Sequence, residues 1–202
     1  GLKEKNVTLQ ISVELAKLLN TSGKARAILT RTTDRTLGLK ERTYLANRAK
    51  AHLFVSIHAN ASTNSKSYGI ETYFLSQHSS DKQSAQTALR ENEGLTPNLP
   101  KKQKPVNFIL KQMTHNAALR QSQQLAIHFE TILKQYLQSR GRGVLQAPFV
   151  VLLEAEMPAV LVEVGFLSNP EECKQISAPS YQAKIAQALS TAIISHLAKF
   201  RK

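Results

Sequence analysis

A chain of 202 residues with 42% hydrophobic and 20% charged residues is long enough to bury one substantial core and too ordinary in composition for wholesale disorder. Its single cysteine, Cys173, excludes an internal disulfide framework and an all-cysteine zinc site. The formal net charge of +13 favours an anionic partner, but the basic residues are dispersed and the few aromatics are not interleaved with them, which argues against nucleic acid as that partner.

Residues 6–19 mix both apolar periodicities, and their length and the Ser22-Gly23 stop predict a helix. Ala27-Ile28-Leu29, within residues 26–31, predicts a short buried strand; residues 39–49 predict an amphipathic helix, and Leu53-Phe54-Val55-Ser56-Ile57 the next strand. Strand, helix and strand at this spacing imply a right-handed crossover in a parallel sheet. Another strand is predicted over residues 69–75, after a polar loop over 60–67 that suits the mouth of a site. Between residues 79 and 106 apolar content falls, Pro97 and Pro100 bracket Asn98-Leu99, and the basic run Lys101-Lys102-Gln103-Lys104 follows. This stretch reads as an insertion or lid with a short helical section over 84–93. A long helix over 108–137, broken near His115-Asn116, is expected to end at Gly141-Arg142-Gly143. Apolar strands at 149–153 and 159–164 and a helix over 180–200 close the chain. The sum is a single α/β domain over residues 1–202, a mostly parallel central sheet flanked by helices. No run of about 18 apolar residues is present, so no transmembrane segment is predicted.

The sequence lacks His-Glu-x-x-His, Gly-x-Ser-x-Gly, a P-loop and Gly-x-Gly-x-x-Gly, which leaves ionisable residues at element ends to carry any chemistry. His58 stands just beyond Ile57, where a core histidine satisfied by a carbonyl is an equal alternative to a ligand. Glu163 interrupts the apolar run Ala159-Val160-Leu161-Val162 and Val164-Gly165-Phe166, where an unpaired carboxylate is costly unless it reaches solvent or a partner. Glu4, at the start of the first helix, suits either the helix dipole or a cation, the dipole being the ordinary role.

Together, Gly1-Leu2-Lys3-Glu4-Lys5-Asn6, Phe54-Val55-Ser56-Ile57-His58-Ala59-Asn60-Ala61 and the segment from Pro158 through Glu163 to Pro170 resemble, in order and spacing, the zinc N-acetylmuramoyl-L-alanine amidases, including the cell-division type. Leu29-Thr30-Arg31 with Asp34, Leu39-x-x-Arg42 and Gly69-Ile70-Glu71 with Tyr73 are similar to that family too. The resemblance implies hydrolysis of the amide between N-acetylmuramic acid and L-alanine in peptidoglycan, by zinc-activated water with a glutamate general base. It implies Zn2+ held by two histidines and a glutamate, in the periplasm or the extracellular cell wall. By motif position Glu4 matches the ligand glutamate, His58 the second ligand histidine and Glu163 the catalytic glutamate. The family's first ligand histidine lies in an Asp-Pro-Gly-His-Gly-like loop that would stand upstream of Gly1, so the chain is expected to be N-terminally incomplete. Its absence raises a competing expectation, a non-catalytic peptidoglycan-binding or partner-regulating module. Arg90-Glu91-Asn92 is similar to the segment lying over the zinc in cell-division members. That implies Glu91 as an autoinhibitory ligand until an activator protein displaces the insertion; a solvated helix end is the alternative.

Overall fold

The long helices are built on apolar positions that recur every third or fourth residue. In the computed structural model, which describes residues 2–93 and 116–199, α1 (Glu4–Thr21) buries Val7, Ile11, Leu15 and Leu19 along one stripe. The helix α4 (Asn116–Leu137) buries Leu125, Phe129, Leu133 and Leu137 in the same way, and α7 (Pro179–Ala198) buries Ile185, Leu189 and Ile193. These three stripes meet over one face of a four-stranded sheet, where they form the larger core cluster with Val160, Val162 and Val164.

The strands are β1 (Phe54–Asn60), β2 (Ile70–Leu75), β3 (Gly141–Ala147) and β4 (Ala159–Phe166), in the order β1-β4-β2-β3. β1 runs parallel to β4 and β2 parallel to β3, while β2 and β4 are antiparallel. Two of the three ladders are therefore parallel. Along β4 the side chains alternate faces, so Ala159 and Leu161 enter a second, smaller cluster on the opposite side of the sheet. That side is covered by α2 (Leu39–Arg48), the single-turn α5 (Val150–Leu153) and α3 (Lys82–Glu93), through Leu39, Leu152 and Ala88. Tyr73 and Phe149 pack edge to face there, with ring centroids 5.0 Å apart. A short helix, α6 (Pro170–Ser177), is capped by Asn169, whose side chain accepts from the backbone of Glu171 and Glu172.

Several expectations are corrected. Residues 25–29 form no strand: the Ala27 amide is bound by the Asn20 side chain at 2.9 Å, and Ile28 is 62% exposed. An apolar run becomes a strand only with a ladder partner, and a groove of about 910 Å³ separates this segment from β1. The groove is walled by Leu15, Leu19, Leu29, Val55 and Ile57. Among the described residues no strand pairs with the outer edge of β1. The run at 149–153 is a helical turn rather than a strand, since the Leu152 amide closes back on the Phe149 carbonyl at 3.1 Å. Gly141-Arg142-Gly143 does not stop a helix but opens β3; α4 has already ended at Leu137. Two glycines hid this partly buried edge strand from its pattern. The helix expected over 84–93 is α3. Residues 94–106 of the insertion, the basic run at 101–104 and residues 108–115 of the long helix lie outside the described residues.

Candidate metal centre

Alternation puts three ionisable side chains in one row on the second face of the sheet. His58 lies inside β1 rather than beyond it, and is in register with Glu163 of β4, which is in register with Glu71 of β2. The entry into β2 is fixed by Gly69, at φ +108, where a side chain would collide with the Arg140 carbonyl. Glu172 of α6 ties the entry of β2 to the end of β4, accepting from the Gly69 amide at 2.9 Å and the Phe166 amide at 2.7 Å.

Around His58 the candidate residues converge. Its Nδ1 stands 3.0 Å from Glu4 Oε1 and 2.8 Å from Glu91 Oε2, and its Nε2 is 3.0 Å from Ser56 Oγ. Glu4 reaches the site because α1 begins at the end of β1, where the same Oε1 also accepts from the Ala59 amide at 3.1 Å. Glu91 arrives from the last turn of α3. One ligand atom from each of Glu4, His58 and Glu91 falls within 4.8 Å of the others. Burial opposes the charge on the imidazole, but hydrogen bonds to Glu4 and Glu91 and the charges of Glu91 and Glu163 override it, pushing His58 up to about 10. Burial likewise opposes ionisation of Glu91, yet His58 and Arg90 hold its carboxyl below the usual range.

Glu163 differs from all of these. It is fully buried, and neither carboxylate oxygen has a hydrogen-bond partner among the described residues. Burial pushes its carboxyl well above the ordinary range, against the pull of His58 and with the charges of Glu91, Glu4 and Glu71 adding to the rise. An orphaned carboxylate of this kind carries the penalty that buried polar groups elsewhere avoid. Imidazole nitrogen with carboxylate oxygens is a donor set that suits zinc, and the Ser56 hydroxyl meets the other ring nitrogen, the position at which a ligand histidine is oriented. His78 is exposed beyond the far end of β2 and takes no part.

The structure places Glu4, Glu91 and Glu163 around His58, and beside them stands a polar network to which the sequence assigned no role. Glu71 is fully buried and accepts from Asn60 Nδ2 at 2.7 Å, Tyr73 Oη at 2.8 Å and Arg142 Nε at 2.6 Å. Burial and the Glu71 charge push the Tyr73 hydroxyl up, which keeps it a donor. Asn60 in turn accepts from Arg90 Nη2 at 2.7 Å. A glutamate inside an apolar strand was the available signal for Glu71, the same one that marked Glu163.

The fold and this cluster belong to the class of α/β enzymes that assemble a centre at strand ends. A family model described as N-acetylmuramoyl-L-alanine amidase (Amidase_3) matches residues 1–195. The amidase AmiA of Escherichia coli is 32% identical over 201 residues, which cover 97% of this chain and 69% of AmiA. The crystal structure of the amidase of Clostridium difficile 630 superposes with a TM-score of 0.74 at 28% identity, covering 98% of this chain and 85% of that one. The CwlD amidase of Clostridioides difficile, solved in complex with the GerS lipoprotein, gives a TM-score of 0.71 at 27% identity, covering 98% and 86%. The chain therefore belongs to the N-acetylmuramoyl-L-alanine amidase family, and it is an enzyme of that hydrolase class.

Proposed function

We propose that the chain hydrolyses the amide between N-acetylmuramic acid and L-alanine of peptidoglycan with a zinc ion held by Glu4 and His58, and with Glu163 as general base. The observation that carries this reading is the pairing of an orphaned, fully buried Glu163 with the His58 cluster one strand away. Zinc, when bound, supplies the Lewis acidity that polarises a carbonyl and makes water acidic. Glu163 takes a proton from the attacking water and returns it to the leaving amide nitrogen, a role suited to a carboxyl whose proton affinity burial has raised. Ser56 holds the His58 ring in place. The formal net charge of +13 suits an anionic wall polymer, and a peptidoglycan substrate implies the periplasm or the extracellular wall as the place of action. No described helix is long and apolar enough to cross a membrane.

The groove beside β1 fits the same reading. Its apolar walls and the unpaired strand edge suit one further strand, and a strand there would bring the family's remaining ligand histidine to the cluster. Glu91 acts as the inhibitory ligand: it sits against His58 where substrate must enter, and α3 belongs to the regulatory insertion at 79–106. CwlD is solved with a lipoprotein partner, and a protein partner of this chain is proposed to move α3 aside. In a version extended upstream by the proposed strand and histidine, His58→Ala should lose zinc in calorimetry and stem-peptide release together, and chelation should silence the parent until zinc is returned. Stoichiometric zinc in His58→Ala, or full turnover in the chelated parent, would reject the reading.

A further inference from the structure

The ion pair between Glu71 and Arg142 does more than neutralise a buried charge. Arg142 projects from β3 with its guanidinium carbon 5.4 Å from the Phe166 ring centre, and its side chain is 23% exposed. One arm of the fork, Nε, donates to Glu71 Oε1 at 2.6 Å. A second arm, Nη2, donates at 2.8 Å to the side-chain oxygen of Gln83, whose amide nitrogen donates back to Glu71 Oε1 at 3.4 Å. A carboxamide is therefore gripped at both ends, its carbonyl by a guanidinium and its N–H by a carboxylate. The planar fork makes this possible, since it presents two N–H groups in fixed relation.

The occupant comes from α3, the same helix that carries Glu91 to His58. A displacement of α3 that frees His58 also uncovers Arg142 Nη2 and Glu71 Oε1. Both groups stand on the face of the sheet that carries His58 and Glu163, with β2 two strands from β1, about 10 Å at normal strand spacing. The substrate class offers matching groups within that reach of its scissile bond: the acetamido group of the amino sugar on one side, the amide bonds of the stem peptide on the other. A site built to hydrogen-bond both ends of an amide discriminates against compounds lacking one, because its own polar groups would be left unpaired.

We propose that Glu71 and Arg142 form a second substrate subsite, which reads a carboxamide of peptidoglycan, and that Gln83 fills it while α3 is closed. This rests on the amidase reading for the identity of the substrate, but its test needs neither zinc nor turnover. Two neutral-amide probes separate the sources: N-acetylglucosamine for the acetamido group and L-alanyl-D-isoglutamine for the peptide amides. Their binding to the 202-residue chain is followed by NMR chemical-shift titration in the parent, in Gln83→Ala and in the double variant Gln83→Ala/Arg142→Lys. Gln83→Ala should bind one of the probes about tenfold more tightly, the gain expected if the competing Gln83 carboxamide occupies the subsite about nine-tenths of the time in the parent. The double variant should lose that gain, because lysine still neutralises Glu71 but has no second arm in the fork. The probe that gains identifies the amide that is read. Equal affinities in parent and Gln83→Ala, with unchanged circular dichroism, would overturn the proposal. So would a gain that survives Arg142→Lys. Either result would leave the hydrolytic reading standing, and loss of the hydrolytic reading would leave the binding measurement intact.

Discussion

Glu71 and Glu163 face each other across the antiparallel ladder of β2 and β4, both fully buried, and they have opposite surroundings. Glu71 is met by Asn60, Tyr73 and Arg142, whereas neither oxygen of Glu163 meets a donor among the described residues. Folding tolerates a buried carboxylate by surrounding it with donors, and Glu71 is that case. Glu163 has the same cost without the compensation, and such a group persists where chemistry needs it. The contrast separates a carboxylate held in a network of donors from one left without a donor, the one proposed above as the general base.

Removing each carboxylate should break the symmetry of the pair. Glu71→Ala leaves Arg142 and Asn60 without their buried acceptor, and breaking such a pair costs about 3–5 kcal/mol. Chemical denaturation should show a loss of that order. Equal midpoints for Glu71→Ala and the parent would mean that the network contributes nothing to the fold.

The network around Glu71 also reaches α3, which sharpens the comparison. Arg90 donates to Asn60 Oδ1, to the Ala61 carbonyl and, at 3.2 Å, to Glu91 Oε1, so the network around Glu71 fastens the helix that presents Glu91. Arg90→Ala removes charge-assisted hydrogen bonds worth about 1.5–3 kcal/mol, which corresponds to roughly 10- to 100-fold faster amide hydrogen exchange in α3. Glu91→Ala, which leaves the Arg90 bonds to Asn60 and Ala61 in place, should raise basal peptidoglycan hydrolysis while changing α3 exchange less. Unaltered exchange in Arg90→Ala would detach the lid from the network.

The smallest effect lies away from both glutamates, where His128 of α4 meets Ser195 at 2.8 Å and the His196 ring lies 5.7 Å from that of His128. Burial, the charge of His128 and that of Lys199 lower His196 to about 4, and burial and Lys199 also lower His128. A base whose folded pKa is depressed binds more protons when unfolded. The stability it allows is therefore complete above the unfolded value near 6.5 and is lost as pH falls from there through about 4. Melting curves between those limits should show a modest decline that Gln at both histidine positions flattens. A decline of undiminished slope in that double variant would place the acid sensitivity elsewhere, in a carboxyl held below its ordinary range such as Glu91.

Much of this was legible from residue pattern. The helical stripes of α1, α4 and α7 and the apolar run of β4 announce themselves because each buries a face whose period the sequence repeats. β3 did not, since Gly141 and Gly143 dilute its strand character and its pairing with β2 comes from residues about seventy positions away. Residues 149–153 show the reverse failure: five apolar residues satisfy either period, and the choice of a helical turn depends on Asn92, which accepts from the Val150 amide at 2.9 Å. At the site, Glu163 and His58 stood out individually by type and place, but their register, and the row they form with Glu71, is a property of the sheet order β1-β4-β2. Gln83 and Arg142 carried no local signal, because what joins them is a contact between α3 and β3.

The most direct test of the contrast between the two glutamates is Glu163→Gln, made in a version extended upstream by the proposed strand and histidine, with bound zinc, chemical stability and stem-peptide release from peptidoglycan measured on the same preparation. The account predicts full zinc and a stability within about 1 kcal/mol of the parent or above it, since no buried partner is lost. It predicts turnover reduced by about 10²-fold or more, the usual contribution of a general base. Turnover at parental levels, or a stability loss as large as that of Glu71→Ala, would contradict it.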